Sequence, residues 1–183
     1  MKKLNRYIVA TALFLGGSLC IAGEGNPTYN QTYDIDPVAC EGLSLDGVLY
    51  SFSIAGVPSN DCLAGTFIGP NITDNIEAPN IEGNSAGVLH LTFDVPTTKF
   101  GFGVAVNTFS SPQIEAVTVN LNRPGSGMLR EQVQLDLTND PGFVGGRYEY
   151  NGPAVKTITL QFDSVNRFSV DNVTYFRPPG KVK

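Results

Sequence analysis

The strongest constraint on this chain is an apolar alternation of period two, repeated in short runs. Leu89, Leu91, Phe93 and Val95 alternate with Val88, His90, Thr92 and Asp94, and Phe100, Phe102, Val104 and Val106 alternate with Gly101, Gly103 and Ala105. Successive side chains of an extended strand point to opposite faces, so such runs read as strands with one face on a core. The same pattern holds for Tyr50, Phe52 and Ile54, for Val117, Val119 and Leu121, for Val133, Leu135 and Leu137, and for Ile158, Leu160 and Phe162. Turn-forming pieces separate them: Asp94-Val95-Pro96-Thr97-Thr98, Asn122 to Gly127, Asn139-Asp140-Pro141-Gly142 and Asn151-Gly152-Pro153. Short strands so punctuated indicate an all-β fold, a sandwich or barrel. Past the first two dozen residues no segment sustains a helical period, and the abundance of Gly, Pro, Val and Thr agrees.

The last strand breaks its own alternation. Phe168 and Val170 share one face, yet the apolar set resumes at Val173 and Tyr175, one residue out of phase. A β-bulge at Asp171-Asn172 would absorb the extra residue, and a strand end running into a turn is the competing reading. Residues 23–38 read as a lead-in linker, residues 39–176 as one β-sandwich domain, Asn71 to Asn84 as a long polar loop, and residues 177–183 as a disordered tail.

The N-terminus carries Lys2, Lys3 and Arg6, an apolar stretch from Tyr7 to Leu19, and small residues around Ala22. That order is a signal peptide over residues 1–22, too short for a membrane span of roughly 20 apolar residues. Lipid attachment at Cys20 is the alternative, and bulky Leu19 stands where a lipobox wants a small residue. A secreted protein, extracellular or periplasmic, is expected, with no stable membrane insertion after cleavage. Loss of Cys20 with the leader leaves Cys40 and Cys62, an even pair in an oxidising compartment, which points to a disulfide.

Losing the leader's three basic residues leaves nine against seventeen acids, a formal charge of −8. No Lys or Arg occurs between Arg6 and Lys99. Such a balance argues against nucleic acid, whose binding requires neutralised phosphates, and describes a solvated acidic surface or one that meets cations.

Catalytic chemistry is poorly supplied. The only histidine, His90, lies within a strand, and a surface-strand role accounts for it. No Gly-x-Ser-x-Gly elbow is present, and one histidine makes a weak transition-metal set. Glu149 and Asp163 are the sort of carboxylates a glycosidase would pair, with nothing to distinguish them from surface acids. Tyr148 and Tyr150 share one strand face with Glu149 between them, which makes them the candidate platform for stacking on a sugar; core packing is the competing role.

Several short motifs together carry a resemblance: Cys40-Glu41-Gly42-Leu43, Tyr50-Ser51-Phe52, Gly83-Asn84-Ser85-Ala86, Leu91-Thr92-Phe93-Asp94, Phe100-Gly101-Phe102-Gly103-Val104 and Phe168-Ser169-Val170-Asp171-Asn172-Val173. In this order the chain resembles secreted bacterial jelly-roll domains of the PEP-CTERM-protein type, which are similar in fold to carbohydrate-binding modules. The resemblance implies an antiparallel β-sandwich of jelly-roll form and a structural calcium ion, with Glu41 and Asp171 at the matching ligand positions. The apolar sorting tail of that type does not occur before Lys183, so surface anchoring by that route is not expected. The function expected is a non-catalytic module binding polysaccharide or another cell-surface component. A structural or adhesive matrix protein and a secreted glycan-active enzyme are the alternatives.

Overall fold

The structure, a computed structural model, describes residues 28–30, 33, 36–65, 76–77, 79–107, 117–135, 143–163 and 165–177. Residues 1–22, expected to be a leader, and residues 178–183 of the expected tail lie outside the described residues. Twelve strands follow in order: β1 Thr28–Asn30, β2 Val38–Ala39, β3 Ser44–Leu45, β4 Val48–Ile54, β5 Val57–Pro58, β6 Cys62–Gly65, β7 Asn80–Gly83, β8 Gly87–Asn107, β9 Val117–Arg123, β10 Gly127–Gln132, β11 Val144–Phe162 and β12 Arg167–Phe176. All pair antiparallel, and no helix occurs among the described residues.

The two layers of this sandwich are halves of one continuous sheet, because β8 and β11 run through both. In the first layer the order is β4-β8-β11-β9-β10, with β3 and β5 on the outer edge of β4. In the second, the other halves of β11 and β8 are followed by β12, β7, β6 and β2, and β1 lies beside the end of β12.

Where β8 and β11 cross between layers, the Pro-containing pieces expected to be turns are instead a shared corner. Asp94 to Thr98 stays within β8, and Asn151 to Pro153 within β11. Proline donates no ladder hydrogen bond, so it is tolerated where pairing is already interrupted. The register slips here between Asn151 and Val155 and again between Val155 and Thr157, leaving the Val155–Thr97 bridge to hold the bend. The buried Thr97 hydroxyl lies 2.8 Å from the carbonyl of Lys99 and 2.7 Å from that of Phe176, tying the corner to the end of β12.

Alternation places the apolar set between the layers, as expected. Phe52 and Phe162 from the first layer meet Phe168 from the second, with ring centroids 5.4 and 3.9 Å apart. Phe93 likewise meets Phe100 and Tyr175 at 5.8 and 5.3 Å. Each fully buried ring of this kind contributes about 1.5–3 kcal/mol through apolar burial. Two-residue turns at Asp46-Gly47 and Ala55-Gly56 have positive φ at both positions, the geometry whose twist matches that of the flanking strands.

Three segmental expectations need correction. Within the supposed lead-in, Thr28–Asn30 pairs with β12 and Tyr33 is fully buried, because the end of β12 offers an unpaired edge. Within the supposed loop, Asn80–Gly83 fills the gap between β6 and β12, and its polar letters hide Ile81 in the core. The strand expected over Val133 to Leu137 lies earlier, at β10; Val133 is buried just past its end, and Leu137 lies outside the described residues.

The bulge is where the alternation puts it. Asp171 pairs with Gly103 and Thr174 with Gly101, so three steps on β12 oppose two on β8, and Asn172 takes a left-handed φ of 51°. Cys40 and Cys62 form a disulfide with Cα atoms 5.4 Å apart, joining the turn after β2 to the start of β6.

Candidate functional site

A cleft of about 340 Å³ opens beside the corner, lined by Lys99, Phe100, Gly101, Glu149, Tyr150, Asn151, Thr174, Tyr175 and Phe176. Its parity explains its chemistry. Phe100, Tyr150 and Tyr175 turn inward, so Lys99, Gly101, Glu149, Asn151, Thr174 and Phe176 occupy the outer face of the second layer. Gly101 is the floor: a side chain there would start 3.1 Å from the Tyr148 carbonyl and 3.5 Å from both Arg147 Nη2 and Glu149 Cγ. With no side chain at that position, the Arg147–Glu149 ion pair, 3.0 Å between Nε and Oε1, stands beside the floor. Lys99 is exposed and no carboxylate pairs with it among the described residues. The cleft thus gathers an ammonium, an amide, a hydroxyl, a neutralised carboxylate and a half-buried ring.

The expected platform is not at the surface. Tyr148 and Tyr150 are each 6% exposed. The Tyr148 ring stacks on Phe102 at 5.3 Å, that of Tyr150 on Phe100 at 5.1 Å, and their hydroxyls donate to the Glu131 carboxylate and the Pro153 carbonyl. Burial and the nearby Glu131 charge push the Tyr148 hydroxyl above the usual tyrosine range. Two rings alternating on one strand face satisfy a sugar platform and a core equally well, and the covering layer makes them core.

The two expected calcium ligands have separate partners. Glu41 accepts the Phe52 N–H at 3.0 Å, satisfying an edge donor of β4 where β3 and β5 do not reach it. Asp171, in the bulge, accepts the Glu77 N–H at 3.0 Å and a backbone bond from Asn172. Desolvation nevertheless holds its carboxyl above the usual range. A buried carboxylate suits a cation, but Glu41 Oε2 and Asp171 Oδ2 each already accept a backbone N–H, and no group of three or more His, Cys, Asp or Glu gathers among the described residues. The donor set therefore fits calcium only in part.

His90 stands half-buried on the outer face of the first layer, as a strand histidine should. It lines a shallow depression of about 430 Å³ with Glu41, Ser51, Ser53 and Val88. Its Nε2 is 3.5 Å from Ser53 Oγ, the outer limit of a hydrogen bond, and burial lowers its pKa. Glu41 Oε2 accepts the Phe52 N–H, and among the described residues no carboxylate hydrogen-bonds to the imidazole. Glu149 lies within β11 and Asp163 just past its end, on opposite sides of the corner; one pairs with Arg147 and the other accepts Gln161 Nε2 at 2.9 Å.

Sequence reasoning missed the cleft because its residues come from three strands and the corner. One signal was legible: Gly101 and Gly103 occupy the outward positions of a strand whose inward positions are all large. Glycine weakens a strand interior and often marks close approach by a ligand or backbone.

No family model matches the chain, and no curated protein matches it in sequence. Among solved structures it is similar to a family 29 carbohydrate-binding module from Piromyces equi, at 10% identity and a TM-score of 0.42, over 81% of this chain and 89% of that one. It is similar at 13% identity and a TM-score of 0.41 to the CBM22-1 and GH10 modules of a Clostridium thermocellum xylanase complexed with xylohexaose, over 81% of this chain and only 28% of that one. A third likeness, 15% identity and a TM-score of 0.39, is to the tailspike protein 4 of bacteriophage CBA120, over 72% of this chain and 19% of that one. Likenesses this loose decide nothing about ligand or activity.

Proposed function

We propose that this is an exported, non-catalytic β-sandwich module that binds a glycan in the corner cleft. The observation that carries the reading is the cleft itself: an open floor at Gly101 beside the Phe176 ring, with Lys99, Asn151, Thr174 and Glu149 around it. Sugars present apolar C–H faces and a dense rim of hydroxyls, and they are recognised by a ring beside a few placed polar groups. The basic and apolar order of residues 1–22 supports export.

A glycan array and polysaccharide pull-down with the leaderless protein tests this, with and without chelator. Retention of intact glycan is expected, and Asn151→Ala combined with Thr174→Ala should reduce it at least about tenfold with an unchanged circular dichroism spectrum. Cleaved glycan would move the protein to the glycan-active class. Absence of retention on every glycan, together with self-association, would move it to the matrix class.

A further inference from the structure

We propose that the glycan accepted by this cleft is anionic, carrying a carboxylate that Lys99 receives. This rests on the cleft being a glycan site, and it names the class of ligand.

The chain has seventeen acids against twelve Lys and Arg, so its overall field is negative. Other cations around the second layer are engaged: Arg147 with Glu149, Arg167 with Glu82, Arg177 with Asp94, and Lys156 with the Asp94 carbonyl. Lys99 lines the cleft, is exposed, and has no carboxylate partner among the described residues. The one acid in the lining, Glu149, is neutralised by Arg147. The local balance is therefore positive in a negative protein.

Distance decides which of these fields a ligand feels. At physiological ionic strength charges are screened beyond about 8 Å, so Lys99, acting at contact, is the charge a ligand in the cleft meets most directly. An ammonium offers three donors, and a bond from it to a carboxylate is about twice as strong as one between neutral groups. A neutral sugar would leave that stronger bond unmade. Asn151 and Thr174 remain available for the hydroxyls of the same residue.

The test uses pairs of polymers that differ only in charge: polygalacturonate, alginate and a glucuronan, each beside its carboxyl-reduced counterpart. With the leaderless protein, at least one uronate polymer should bind about tenfold tighter than its reduced partner, and the preference should shrink as salt rises. Lys99→Gln should remove the preference and Lys99→Arg should retain it, both folding normally because the side chain is exposed. Equal binding of charged and reduced polymers overturns this inference while the glycan reading stands. A preference undiminished in Lys99→Gln also overturns it, since the charge would then be read elsewhere. No binding to these or any neutral glycan overturns both.

Discussion

The hydroxyls of Tyr33 and Tyr50 meet 3.0 Å apart inside the core, their rings edge to face with centroids 6.3 Å apart. Tyr33 precedes β2 in a segment that reads from the sequence as a lead-in linker, yet it is as deeply buried as any residue of the strands. Tyr33→Ala should therefore cost about 3–5 kcal/mol, as removal of a buried ring does, and Tyr33→Phe about 1–2 kcal/mol. Urea denaturation reads both, and a cost below 1 kcal/mol for the alanine variant would show that the segment does not seal the core.

The same pair sets the alkaline limit. Desolvation raises both hydroxyls above the ordinary tyrosine range, and each raises its folded pKa above the unfolded value near 10. Their contribution is present below that pH and is lost as pH rises toward the folded values, because only the unfolded chain can ionise. Ultraviolet titration should find these two phenols silent until the protein unfolds. Ionisation of every tyrosine of the leaderless protein before any loss of circular dichroism would contradict it.

Gly146 faces the segment after β10, and a side chain there would begin 2.2 Å from the Gln134 carbonyl oxygen. Backbone cannot swing aside as a flexible side chain can, so Gly146→Ala should destabilise by about 1–3 kcal/mol or displace residues 133–135. Gly125→Ala, with open space around it but φ near +77°, should cost about 1 kcal/mol through backbone strain alone. Thermal melts of the two variants separate packing from strain, and the order of their costs is the check.

Asp171 carries a pH signature. Its folded pKa is raised by burial, against the Glu77 and Asn172 N–H bonds, so its protonated form favours the fold below the unfolded pKa near 4 and that advantage is lost as pH rises through the folded value. Asp171→Asn should consequently raise the melting temperature at pH 7, and the gain should vanish below about pH 4. The calcium expectation at Glu41 and Asp171 has its own outcome: a melting temperature raised by calcium in the native protein and unmoved in the variant supports it, and no response to calcium or chelator removes it.

The disulfide is testable by chemistry alone. Thiol titration of the denatured, unreduced protein should find Cys40 and Cys62 unreactive, and replacing both by serine should cost about 3 kcal/mol for a loop of this length.

Much of the fold was legible from the chain. Period-two alternation sorted the inward residues of β4, β8, β9, β11 and β12, and a single break in phase marked Asp171-Asn172, where the pairing shows a bulge rather than a strand end. These are local matters, decided by the geometry of an extended backbone within one strand. The even pair of cysteines was likewise readable by count and compartment, and the structure joins them.

What tertiary structure alone decided is which features share a place. Alternation says that Tyr148 and Glu149 face opposite ways, but not which face another layer covers; sheet closure buried the tyrosines and left Glu149 outside. Pro96 and Pro153 each look like a turn when read singly, and only the pairing of β8 with β11 on either side of them makes the two pieces one corner. That corner brings Lys99, Asn151 and Phe176 together from three strands. The chain by itself determined strand and phase; long-range pairing decided for the bulge over a strand end and assembled the cleft, because no spacing along one strand encodes its distance to another.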